Sequence, residues 1–276
     1  MRNSLLVVMS LLAVGCGPGA RKDPGDGSDT PDAGGGGGDG QLGDGGGTQG
    51  TTYVFAHTAS RLYRVDPDSL AIDDIGDFAF TTGSDQITDI AINKSGEMLG
   101  ISFGSVYRID PTTAAATRLS NALSGLFNGL SFVPADQLGR TGDDVLVATR
   151  NADGIVFEIN PMTGSTTEIG NMGAFSSSGD LVSAAGLGTL QTADNGISAD
   201  VLVQLAGTSF AATAIGTSTG FSDIWGLAYW KQRVFGFTEG GAFVLIDPTT
   251  GVGTLVQGGG PAWWGAAVTT LAPILQ

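Results

Sequence analysis

VYRIDPTT, Val106 to Thr113, returns as LYRVDPDS from Leu62, VFEINPMT from Val156 and FVLIDPTT from Phe243. The turn proline falls at Pro67, Pro111, Pro161 and Pro248, and the degenerate copy VLVQLAGTS puts Gly207 in that place, at intervals of 44, 50, 46 and 41 residues. Before each turn apolar and polar residues alternate, which is the period of a strand and not of a helix. Asp-Pro or Asn-Pro then supplies the first two positions of a type I turn: the side-chain oxygen accepts backbone N–H bonds and the ring presets φ near −65°. A second short run follows, AAATRLS, STTEIG, AATAIG or VGTLVQ. Each copy is therefore a hairpin.

Two more strand-like runs precede each hairpin, such as ITDIAI and EMLGIS before VYRIDP, or WGLAYW and RVFGFT before AFVLIDP. Four strands per unit of about 45 residues with turns between them is the signature of a β-propeller blade. The first unit has only three strands, TYVFAHT, RLYRVDP and AIDDIG, while WWGAAVTTL near the C-terminus matches the innermost strand WGLAYW. The sequence therefore predicts an all-β, five-bladed propeller over residues 51–276, four antiparallel strands per blade, closed by the C-terminal strand joining the first blade so that no edge stays open. The unit from Asp180 to Gly216 lacks the Asp-Pro turn, and its strand boundaries are the least defined.

The hairpins, most clearly AFVLIDPTTG at Ala242 to Gly251, resemble a loose class of exported bacterial propellers that read L-Y-x-I-D-P-x-T-G, akin to NHL and other six- or seven-bladed repeats. That resemblance implies architecture only. At the N-terminus, residues 1–15 have a basic start at Arg2, an apolar run from Leu5 to Val14 too short to span a bilayer, and small residues before Cys16, the chain's one cysteine. LAVGC, Leu12 to Cys16, resembles the lipobox of bacterial lipoproteins, with Ala13 where leucine is commoner. It implies a cleaved signal peptide, lipidation at Cys16 by fatty acyl chains such as palmitate, and a membrane partner; two or three chains anchor stably where one does not. Gly17 after the cysteine implies, by the same resemblance, the outer membrane. Residues 16–50 are the acylated cysteine and a Gly/Asp-rich linker with one large apolar side chain, Leu42, which cannot offset the entropy of ordering. As a flexible coil its 34 residues after Cys16 reach about 30–35 Å.

Setting aside Arg2, Arg21, Lys22 and the six linker aspartates leaves nine basic against 21 acidic residues in the propeller region. Such a surface repels phosphate backbones and excludes nucleic acid as a partner. The one histidine, His57, read here as part of an exposed hairpin turn, excludes multi-histidine metal centres and gives a Ser-His-Asp triad no setting. No cofactor is expected; Ca²⁺ suits carboxylates chemically, but no loop spacing specifies it, since, counting Asp66 as the first, Leu70 occupies the fifth position and no glycine the sixth.

A propeller gathers its ligands where loops enter the innermost strands. Those loops carry Asp85, Asn128, Asp180, Asp223, Trp225 and Trp264, which are the candidate ligand-binding residues: carboxylates for a cation, a sugar or a basic peptide, with the tryptophans as an apolar floor. The expectation is a monomeric, non-catalytic binding or scaffold propeller of the bacterial envelope, its partner a protein or carbohydrate. The alternative is a glycosidase- or lactonase-like hydrolase using Asp85, Asp180 and Asp223, an analogy at the level of fold.

Overall fold

The computed structural model describes residues 53–275 apart from 152, 195, 197 and 198; the leader, Cys16 and the linker lie outside the described residues. Blade I contains β1 (Val54–His57), β2 (Arg61–Val65) and β3 (Ile72–Asp77). Blade II follows with β4 (Ala79–Phe80), β5 (Asp89–Ile92), β6 (Met98–Ile101), β7 (Val106–Ile109) and β8 (Ala115–Ser120), and blade III with β9 (Phe127–Val133), β10 (Val145–Arg150), β11 (Ile155–Ile159) and β12 (Thr166–Asn171). Blade IV is β13 (Ser176–Ala184), β14 (Gly188–Asp194), β15 (Val201–Leu205) and β16 (Ala212–Ile215); blade V is β17 (Ile224–Trp230), β18 (Arg233–Thr238), β19 (Phe243–Ile246) and β20 (Gly253–Gln257). The last strand, β21 (Gly265–Ala267), pairs antiparallel with β1, Ala56 opposite Ala266, and becomes the innermost strand of blade I.

The innermost strands touch in cyclic order, β5 with β9, β9 with β13, β13 with β17, β17 with β21 and β21 with β5, so five blades close one ring. Two details depart from the sequence reading. Blade II carries an extra strand, the two-residue β4, which pairs parallel to β8 as the chain crosses from blade I. In blade IV the inner strand begins at Ser176, ahead of Asp180, and the pairing with β14 slips between Ser177 and Leu181.

The alternation in the repeats does not separate core from solvent, because both faces of a blade pack on a neighbour. In the opening stretch, Val106 joins the apolar layer toward blade III while Tyr107 and Ile109 join the layer toward blade I. Arg108 pairs with Glu97 on the open flank at 2.6 Å. The turns hold four residues where the sequence predicts a two-residue turn. In each, a backbone pair such as Ala114 N–H to Asp110 O (2.9 Å) and Asp110 N–H to Ala115 O (2.9 Å) closes a four-residue loop. Asp110 Oδ1 accepts the N–H groups of Thr112 (2.8 Å) and Thr113 (3.1 Å) inside it, and Asp66, Asn160 and Asp247 repeat that cap. The fifth copy keeps the backbone pair, Phe210 N–H to Ala206 O at 2.8 Å and Ala206 N–H to Ala211 O at 3.0 Å, with an alanine where the cap stands elsewhere.

Candidate functional site

The inner edges of the five innermost strands face the axis with backbone N–H groups that no strand can pair. Such groups, buried, must find acceptors. One N–H per blade points there: Ile90, Leu130, Leu181, Leu227 and Ala266, and all five are satisfied by two carboxyls. Asp180 Oδ1 accepts from Leu181 (2.7 Å) and Leu130 (3.3 Å), and its Oδ2 from Leu227 (2.8 Å) and Ala266 (3.3 Å). Asp89 Oδ1 accepts from Ile90 at 2.8 Å. Asp180 reaches the axis from the slip in β13, where Ser178, Gly179 and Asp180 stand against Thr192 alone; a bulge re-aims a side chain. Sequence reasoning placed it at the channel mouth, and the structure buries it completely as a plug that joins four blades.

Asp89 and Asp180 lie in contact, so they titrate as a pair. Burial pushes Asp89 well above the ordinary carboxylate range, and the charge of Asp180 pushes it further. Burial raises Asp180 too, opposed by the N–H groups of Leu227, Leu130 and Leu181. Four N–H donors favour the charged form at Asp180, so a shared proton rests on Asp89, which accepts only one. His57 completes the cluster. It is fully buried, not in an exposed turn, with Nδ1–H donated to Thr58 O (2.8 Å) and Nε2 at 3.9 Å from Asp89 Oδ1. Its burial lowers its pKa to about 4, so it is neutral at pH 7.

Directly above this plug each blade presents one residue to the channel mouth: Trp264, Thr88, Asn128, Ser178 and Trp225 in order around the ring, the residue just before Gly265, Asp89, Gly129, Gly179 and Gly226. The glycines let neighbouring backbones touch. A Cβ on Gly179 would strike Ile224 O and Trp225 Cα, and one on Gly265 would strike Asp89 Oδ1 and His57 Nε2. Gly179→Ala should therefore cost about 1–3 kcal/mol by forcing β13 and β17 apart. The urea midpoint of the purified variant measures it; an unchanged midpoint would mean the backbones separate freely.

These five residues, joined by Phe103, Leu126, Phe127 and Asn151, line a cup of 280 Å³. The indoles of Trp225 and Trp264 meet edge to face with centroids 6.5 Å apart, and Trp264 is held by its N–H to His57 O at 2.8 Å. Of the six candidates from sequence, Asn128, Trp225 and Trp264 come together here. The three acids do not. Asp85 is taken by its own blade, where Tyr107 Oη donates to it at 2.7 Å; partial burial would raise its pKa, but the Tyr107, Ser102 and Gln86 donors hold it below the usual range. Asp223 is exposed in a left-handed conformation (φ 54°) and accepts from Glu239 N–H through its carbonyl. Sequence reasoning missed Asp200, which lies beneath the cup and accepts Ser178 Oγ–H at 2.6 Å and Ile224 N–H at 2.7 Å.

No protein-family model and no curated protein matches the chain. Among solved structures it is similar to a chain of a nidogen/laminin complex (TM-score 0.49, 8% identity, 80% of this chain and 99% of that one). TolB from Acinetobacter baumannii gives a TM-score of 0.46 and 16% identity over 79% of this chain and 54% of its own. An auxiliary nutrient binding protein from Bacteroides ovatus gives 0.47 and 16% over 76% and 55%, so the chain spans about half the length of these last two. Overlaps this shallow assign no ligand.

Proposed function

We propose that the protein is a non-catalytic, ligand-binding propeller of the bacterial envelope, held to the outer membrane by acyl chains on Cys16 and taking its ligand in the cup at the channel mouth. One observation carries the reading: every blade contributes to the cup, and none of the nine lining residues is ionisable. The acids near the channel are used by the scaffold. Asp180 is committed to four N–H groups and Asp85 to Tyr107. The hydrolase alternative needs a pair of carboxyls flanking a bond; Asp85, Asp180 and Asp223 do not line the cup.

Site-specific photo-crosslinking in the full chain on intact cells tests this. A crosslinker at the exposed rim residue Leu126 should give adducts, and one at Thr249, in a hairpin turn on the other face, should give none. Adducts confined to Thr249 would overturn the assignment. Cys16→Ser should move the protein out of the membrane pellet; retention there would sink the lipid anchor.

A further inference from the structure

The cup has two unlike halves. Blades V and I, which are neighbours, contribute Trp225 and Trp264; blades II, III and IV contribute the polar Thr88, Asn128 and Ser178 beside three apolar side chains. On the polar side the protein has taken up both hydroxyl donors and one of the two Asn128 amide N–H groups. Thr88 Oγ1–H is given to Ile101 O (3.2 Å), Asn128 Nδ2–H to Ser177 O (3.3 Å) and Ser178 Oγ–H to Asp200 Oδ1 (2.6 Å). The Thr88 and Ser178 hydroxyls keep their lone pairs, and the Asn128 amide keeps its second N–H and a buried Oδ1 without a partner among the described residues. A ligand that matches must bring groups that donate as well as accept to one side and a weakly polar C–H face to the other, where it meets the negative face of an indole. Carboxylates and phosphates bring acceptors instead, and meet a chain of net charge −15. A peptide is too large for 280 Å³, near the lower end of ligand pockets at about 300–1,000 Å³, which has room for a single ring.

Resting on the binding reading above, we propose that the cup holds the terminal ring of an uncharged glycan, its C–H face against Trp225 and Trp264 and its hydroxyls hydrogen-bonded to Thr88, Asn128 and Ser178. The indoles supply contact area; the three polar side chains set which hydroxyls are recognised.

The test is tryptophan-fluorescence titration of the full-length protein, with calorimetry on any hit. The probes are methyl glycosides of neutral hexoses and N-acetylhexosamines, with sialyllactose, trilysine and choline as charged competitors. A neutral glycoside should bind saturably, with affinity falling about tenfold in Trp225→Ala and in Trp264→Ala. Trp225→Tyr, which keeps a ring, should recover most of it, and Asn128→Leu should weaken some glycosides more than others. Melting curves of each variant separate lost binding from lost folding. Saturable binding of only a charged probe, abolished by the tryptophan variants, would overturn the glycan while leaving the cup as a ligand site. Neutral binding indifferent to both tryptophans would overturn the placement of the glycan in the cup. No response to any neutral glycoside would overturn the glycan alone, since the crosslinking at Leu126 decides the cup independently.

Discussion

A chain ending at residue 262 should lose its cooperative unfolding transition altogether. The missing segment contains β21, and with it Trp263, 1% exposed and packed edge-on against Tyr63 at 5.0 Å and Phe237 at 5.4 Å. Loss of that side chain alone is worth about 3–5 kcal/mol. Its removal also strips the pairing from β1, takes one N–H from Asp180, and breaks the ties from Thr269 to Asn93 O, Thr270 to Asp144, Ala185 to Thr270 O and Lys231 to Pro273 O. Against a typical domain stability of about 5–15 kcal/mol, the sum leaves nothing. The freed inner edge of β1 would then template association with other chains. Calorimetry shows the outcome, with full-length Trp263→Ala as the control: that variant should melt cooperatively at a lower temperature. A truncated protein that melts as sharply as the full chain would mean the ring does not depend on its closing strand.

The blade count was legible because every blade needs the same bottom turn, and that turn has a chemical spelling, Asp or Asn followed by proline. Where the spelling fails, at Ala206, the backbone pair persists, supported by burial of Phe210, so that copy is readable from spacing alone. The cup was half legible. Asn128, Trp225 and Trp264 were found because they stand at the start of inner strands, and the sharper signal was the following glycine, shared by Asn128-Gly129, Ser178-Gly179, Trp225-Gly226 and Trp264-Gly265. That pattern selects Ser178 over Asp180 and Trp225 over Asp223. The axial cluster was not legible locally. Asp180 turns inward at a slip in β13 where three residues, Ser178 to Asp180, stand against Thr192 alone, a bulge that no local pattern announces. His57 is buried by Gly265 and Trp264, some two hundred residues away in the chain, a consequence of ring closure that no window around His57 contains.

Asp180→Asn should destabilise the protein by about 3–5 kcal/mol, and Asp89→Asn by less than about 1. Both changes are isosteric and both remove a buried acid, so the asymmetry tests where the shared proton sits. Each oxygen of Asp180 accepts two N–H groups, and an amide nitrogen in either place sets a donor against donors and orphans two buried N–H groups. Asp89 uses only Oδ1 for Ile90 N–H, and its other side faces Asp180, where an amide N–H can replace the carboxylic O–H. The pH profile follows with a definite sign. Above about pH 4 the unfolded chain releases a proton that the folded pair retains, so this pair makes stability fall as pH rises until the pair ionises. His57, lowered to about 4, acts oppositely: between pH 6.5 and 4 the unfolded chain binds a proton the folded protein refuses, and stability falls as pH falls. The two slopes, each about 1.4 kcal/mol per pH unit per proton, oppose one another between pH 4 and 6.5 for as long as the pair keeps its proton. Urea unfolding of the wild type should therefore contain a decline above about pH 4 that Asp89→Asn flattens. A decline of unchanged slope in Asp89→Asn, or equal losses in the two variants at pH 7, would place the proton elsewhere than on Asp89.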